Sequence, residues 1–174
     1  MAPLSEEDLP EPQPCDGEEL LSFEGVPHGS ILTEQYAVAG VHISAEAPND
    51  GPRAVVVFDS ASSGTSYPGL EIGIGNLAVI ADASDSGYGG GTQVYTFDQD
   101  REVLYVVYVD VEALSLQEIE TFGAGGAEIA NFPILAGGDG SVQTFELGTQ
   151  GVRRLAITYR DSGAISEICL SAPA

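Results

Sequence analysis

The chain has 174 residues, 27 acids against five bases, and a formal net charge of −22. One ordinary domain fits this length, and 43% hydrophobic residues exclude a wholly disordered chain. No run approaches 18 apolar residues, which excludes a membrane-spanning helix and membrane insertion through one, and so anionic a surface repels nucleic acid and anionic membranes.

Residues 1–19 hold Pro3, Pro10, Pro12 and Pro14, seven acids and no base. That composition cannot build a core and reads as a disordered acidic tail. The segment shows no basic n-region and no apolar h-region; an exported chain of this kind has lost its leader or uses another route. Residues 20–174 then read as one β domain. Apolar and β-branched runs recur between Gly, Pro, Asn, Asp and Ser clusters. They fall at 20–25, 31–38, 41–46, 54–59, 77–81, 93–98, 102–112, 115–122, 128–135, 142–147, 152–160 and 165–170. In 102–112, Val103, Tyr105, Val107, Val109 and Val111 can share one face. In 152–160, Val152, Leu155, Ile157 and Tyr159 contrast with Arg154, Thr158 and Arg160. Many short strands with turn signals between them predict an all-β fold, an antiparallel β-sandwich of the jelly-roll kind.

Two connections break this rhythm, Ser60–Gly69 leading on to Asn76, and Asp82–Gly91. Long loops on a rigid sandwich are where binding usually resides. Asp59 opens the first loop, Asp82 opens the second with Asp85 three residues on, Asp110 and Glu112 end a long strand, and Glu24 ends the first. Calcium takes six to eight hard oxygen ligands, so Glu24, Asp59, Asp82, Asp85 and Asp110 are its candidate ligands if these strand ends share a rim. Solvated surface is the competing reading of each acid singly, and no EF-hand loop is present. Tyr67, Asn76 and Tyr88 lie in or beside the two loops among Ser, Thr and Asp residues, which makes them candidates for contacting carbohydrate.

All five bases are arginines, at 53, 101, 153, 154 and 160. A lysine-free acidic surface suits a saline or calcium-rich medium, where salt shortens the Debye length to about 3 Å at 1 M; an acidic protein of an ordinary compartment is the alternative. Arg153, Arg154 and Arg160 are expected to pair with neighbouring carboxylates. Cys15 and Cys169 lie near opposite ends of the domain. A disulfide between them would close nearly all of it, stabilise it by about 3–5 kcal/mol and imply an oxidising compartment; two unrelated buried thiols are the alternative. No Cys/His cluster has zinc spacing.

Catalytic signatures are missing from the sequence: it holds no GxSxG elbow, HExxH or P-loop. His28 reads as a turn residue and His42 as an outward or hydrogen-bonded strand histidine. A Ser-His-Asp triad or a carboxylate pair stays open, because such residues need not be close in sequence.

The succession Phe23-Glu24-Gly25, Gln35-Tyr36, Gly40-Val41-His42-Ile43-Ser44-Ala45, Phe58-Asp59-Ser60, Asn76-Leu77-Ala78-Val79-Ile80 and Ser162-Gly163-Ala164-Ile165 resembles a β-sandwich domain common in predicted extracellular or surface-sorted bacterial proteins. The resemblance spans roughly residues 20–170 and rests on the order of short motifs. It implies a jelly-roll-like sandwich, and most such domains carry no assigned activity. In that family the loop after Phe-Asp-Ser is often acidic, with an Asp-x-Asp-Leu element; here Tyr67-Pro68-Gly69-Leu70 stands there and only Glu71 is nearby. Asp59 matches the motif. The expected function is a non-catalytic extracellular or cell-surface binding or adhesion module, calcium-stabilised, with carbohydrate or a matrix polymer as ligand. The alternatives are a structural subunit that self-assembles through the tail or an edge strand, and a polysaccharide hydrolase.

Overall fold

Arg53–Asp59 and Asn76–Asp82 pair antiparallel along their whole length, and nearly every side chain of this pair is apolar. Such a continuous apolar run is the mark of strands covered on both faces. A computed structural model shows how that covering arises; it describes residues 15, 19–46, 53–65, 67–82, 88–111, 117–159 and 163–172. The strands are β1 (Glu19–Ser22), β2 (Ile31–Leu32), β3 (Val41–Glu46), β4 (Arg53–Asp59), β5 (Asn76–Asp82), β6 (Tyr88–Gly89), β7 (Gly91–Val109), β8 (Glu118–Phe122), β9 (Glu128–Pro133), β10 (Val142–Tyr159) and β11 (Ala164–Leu170). Every pairing is antiparallel, and the fold is a jelly-roll-like β-sandwich. No helix of the described residues is long and apolar enough to cross a membrane.

Two long strands run through both layers. The first half of β7 pairs with β3, and its second half pairs with β11. β10 follows β7 throughout and pairs with β8 through its last residues. One layer is therefore β3-β7-β10-β8-β9, and the other is β2-β4-β5-β11-β7-β10, with β1 on β11 and β6 on β5. Between them lies the main core, with Val55 and Val57 from β4, Ile80 from β5, Tyr95 and Phe97 from β7, and Leu155, Ile157 and Tyr159 from β10. The opposite face of β4 and β5 carries Val56, Phe58, Leu77 and Val79. Leu70 is buried there, and Tyr67, Ile72 and Ile74 pack against the same patch, so the 60–75 connection is itself the cover.

The sequence expectations of separate strands at 93–98 and 102–112, and at 142–147 and 152–160, are corrected to one continuous strand each. The interruptions are bulges within them. In β10 the register shifts between Glu146 and Thr149, between Thr149 and Val152, and between Val152 and Arg154. Gly148 (φ 59°) and Gly151 (φ 71°) take the left-handed backbone this requires. In β7, Leu170 faces Val103 while Cys169 faces Tyr105, so one residue is extra. That bulge breaks the expected common face: Val103, Val106, Tyr108 and Val111 join the main core, while Tyr105 and Val107 pack with Cys169. The strand expected at 31–38 shrinks to Ile31–Leu32. Gln35 captures the backbone locally, accepting from Thr33 N at 2.6 Å and donating to Ile31 O at 2.6 Å, and a 3-10 turn follows at Ala37–Ala39.

Within segment 1–19, Cys15 is bonded to Cys169 across a sequence separation of 154. Cys15 packs against the Tyr105–Val107–Cys169 patch on β7 and β11.

Candidate functional site

Strand direction decides which loop ends meet. β4 ends at Asp59 opposite Asn76, the start of β5. Ile165, near the start of β11, faces Ala78, and Ala164 faces Val109 at the end of β7. β1 runs parallel to β5 and ends beside its start, with Ser22 facing Glu167. Glu24, Asp59 and Asn76 therefore share one rim, at the start of β5, whereas Asp110 follows the end of β7, which through β11 runs parallel to β5; the 60–75 connection, with Tyr67, folds over the outer face of β4 and β5 to reach it. Asp82 is carried away from Asp59 and Asn76: it faces Arg53 at the far end of the β4–β5 pair, and Tyr88 pairs with Ala81 there. The expectation that both loops share a rim is corrected by this antiparallel pairing, which sends the loop before β5 and the loop after it to opposite ends. Asp85 and Glu112 lie outside the described residues.

Three of the rim residues hold the rim itself together. Asn76 donates through Nδ2 to Phe23 O and Val26 O, both at 2.9 Å, and its backbone N–H reaches Glu24 Oε1 at 2.7 Å. Asn76 and Glu24 thus strap the β1–β2 connection to the start of β5. Asp59 Oδ1 accepts from Ala61 N at 2.9 Å, an Asx turn that opens the loop. The Asp59 backbone N–H donates to His28 Nδ1 at 3.0 Å, and the His28 ring packs edge-on to Phe58. The loop is then pinned internally: Ser60 Oγ donates to Gly75 O and accepts from Ile74 N, and Glu71 Oε1 accepts from Thr65 N at 2.8 Å. Tyr67 is partly buried against the outer apolar patch, so one side of its ring is committed to packing.

Asp110 stands apart. It is 5% exposed, and among the described residues it is the non-glycine residue with a left-handed backbone, φ 58°. Its N–H donates to Ser141 O and its Oδ1 accepts from Gly140 N, both at 2.8 Å. These bonds fasten it under the 134–141 connection, whose Gly137 and Gly138 N–H groups both reach Val111 O. The turn at 138–141 brings in Asp139, a residue sequence reading passed over. A side chain on Gly69 would collide with the carboxylates of both Asp110 and Asp139, so the two acids flank one point against the 60–75 loop. Ser141 Oγ and Gln143 Oε1, beside the same turn, are buried without hydrogen-bond partners among the described residues. The loop that lacks the acidic element at Tyr67–Leu70 thus receives two carboxylates from elsewhere in the fold. No group of three or more His, Cys, Asp or Glu gathers among the described residues, so a cation here would draw its remaining ligands from backbone oxygens, hydroxyls or water. An all-oxygen donor set of this kind suits calcium and not zinc. Asp139 leaves no periodic signal in sequence; only the pairing of a Gly-Asp-Gly turn with a strand-terminal Asp hints at it.

No family model matches the chain, and no curated protein matches it. Among solved structures it is similar to a histidine mutant of the lectin binding domain of Lectinolysin complexed with Lewis b, with 12% identity and a TM-score of 0.43 over 83% of this chain and 100% of that one. It is also similar to the F5/8 type C domain of a Bacteroides fragilis protein, with 9% identity and a TM-score of 0.38 over 84% and 99% of the two chains. A third likeness is to the enzymatically active domain of tailspike protein 4 of bacteriophage CBA120, with 12% identity and a TM-score of 0.35 over 80% of this chain and 20% of that one. Likenesses this distant carry neither ligand nor activity to this chain.

Proposed function

We propose that the chain is a non-catalytic extracellular or cell-surface binding module whose ligand, a carbohydrate or matrix polymer, is engaged at the rim formed by the 60–75 and 134–141 connections, with calcium held by Asp110 and Asp139. The observation that carries this reading is the meeting of the two carboxylates at Gly69, one of them buried and locked by Gly140. Two carboxylates that approach one point repel each other unless a cation lies between them. The Cys15–Cys169 bond supports an oxidising compartment, and the exposed side of Tyr67 offers a sugar ring an apolar face beside polar groups.

The test is thermal unfolding with millimolar calcium and then with excess chelator, at high background salt. A ligand that binds only the folded state stabilises it by about 2.7 kcal/mol at a hundredfold excess over Kd. The expected result is a calcium-dependent rise in Tm that Asp110→Asn or Asp139→Asn removes. No shift removes calcium from the reading. A glycan panel then tests the ligand: specific retention that Tyr67→Ala weakens supports the module, and no retention overturns it. Reducing ends released from the panel would replace it with the hydrolase, and assembly lost on removing residues 1–14 would replace it with the structural subunit.

A further inference from the structure

Away from the rim, His42 on β3 lies between two carboxylates. Its Nδ1 is 2.7 Å from Glu34 Oε2 and its Nε2 is 2.9 Å from Asp98 Oδ1. Glu34 belongs to the connection between β2 and β3, and Asp98 belongs to β7, so one ring joins two elements. A neutral imidazole has one N–H and one lone pair. It can donate to one carboxylate, and its lone pair then faces the other at under 3 Å. Only the imidazolium donates to both.

We propose that His42 is a proton-operated clasp that fastens the 33–40 connection to β7 and slackens when the ring loses its proton. The neighbouring charges are already engaged: Asp100 with Arg153 at 2.7 Å, Glu46 with Arg154 at 3.0 Å, and Arg101 with Glu19 at 2.7 Å. Glu34 and Asp98 thus face the ring without a competing cation from β1, β7 or β10. The hydrogen bonds to these two carboxylates raise the basicity of His42 above the ordinary histidine value of 6.5. The sign follows from linkage: with the folded value raised, the stabilisation is complete below 6.5 and is lost as pH rises through the raised value. The rest of the connection stays anchored when the clasp opens, by Tyr36 Oη to Ser22 O at 2.7 Å and by Arg101 to Ala39 O at 2.7 Å. Thr33 O also stays bonded to Ile43 N at 3.0 Å, so the part that loosens is the Glu34–Gln35 turn; beyond the Tyr36 anchor the same connection presents the fully exposed Val38.

The test is an NMR titration of both histidine rings together with amide hydrogen exchange of residues 33–41, corrected for the intrinsic pH dependence of exchange. The expected result is a His42 midpoint above 6.5, with protection of these amides falling as pH crosses it. Glu34→Gln and Asp98→Asn should each lower the midpoint, and Glu34→Gln should uncouple protection from pH. His42→Gln should show the loosened state at every pH; if it fails to fold, the two carboxylate variants still decide. A midpoint at or below 6.5, or protection that does not change across the titration, overturns the clasp.

Discussion

Arg101 is 3% exposed, yet its sequence setting, Asp98-Gln99-Asp100-Arg101-Glu102, reads as a solvated charged turn. Its guanidinium donates to Glu19 Oε2 at 2.7 Å, Ser171 O at 2.8 Å and Ala39 O at 2.7 Å. It ties the first strand, the last strand and the 33–40 connection to one bend of β7. Removing one partner of a buried charged group is costly because the others lose their donor and stay buried. Arg101→Ala should therefore lower stability by about 3 kcal/mol, whereas Arg153→Ala, whose partner Asp100 is largely exposed, should cost under about 1 kcal/mol. Chemical denaturation of the two variants checks this; equal small losses would show that the buried clamp contributes nothing beyond a surface pair. A second buried polar device was equally hidden. Gln93 donates to Ala78 O and Tyr159 Oη, both at 2.8 Å, and accepts from Tyr95 Oη. Burial pushes both phenols well up from the usual tyrosine value, so they stay neutral between the layers. Asn76 reverses the same lesson: its loop position suggested ligand contact, but its amide is spent on Phe23 and Val26.

The elements that shape the sandwich are β7 and β10, because each has to leave one layer and enter the other. Extended strands bend this way at bulges. In β10 the bend is built on Gly148 and Gly151, and nothing lies within 4 Å of the Cβ that either would gain. The cost of substitution there is thus backbone strain alone, about 1–2 kcal/mol for a residue forced into the left-handed region. Gly151→Ala should lower the urea midpoint by that free energy divided by the slope, leaving the slope unchanged, and an unchanged midpoint would show that the strand bends without the left-handed residue. The alternation rules that located twelve runs worked where strands are regular. They failed at 102–112 because a single extra residue exchanges the two faces, and short-range periodicity cannot reveal which partner imposes it.

Across the whole molecule, β1 pairs with β11 and the Cys15–Cys169 bond joins the chain ends. This bond opposes the mutual repulsion of a chain with net charge −22 by restricting the unfolded state. Reduction, or paired Cys15→Ser and Cys169→Ser substitution, should cost about 3–5 kcal/mol, roughly 2–4 °C in Tm for each kcal/mol in a domain of this size. Calorimetry at fixed salt reads it, and a Tm unchanged by reductant would show that β1 is held by its ladder and Arg101 without the bond.

Composition and hydropathy by themselves determined that this chain is all-β, acidic and built of short apolar runs, because burying alternate or continuous apolar side chains is a local demand written residue by residue. The strand ends that hold Glu24, Asp59 and Asp110 were equally legible, since Gly and Asp clusters mark them. Tertiary structure alone decided which ends meet. Antiparallel pairing of β4 with β5 carried Asp82 away from Asp59, and the 134–141 connection brought Asp139 to Asp110 over Gly69. Those encounters depend on strand order and direction, which are set by the competition of all pairings at once and leave no trace in local spacing.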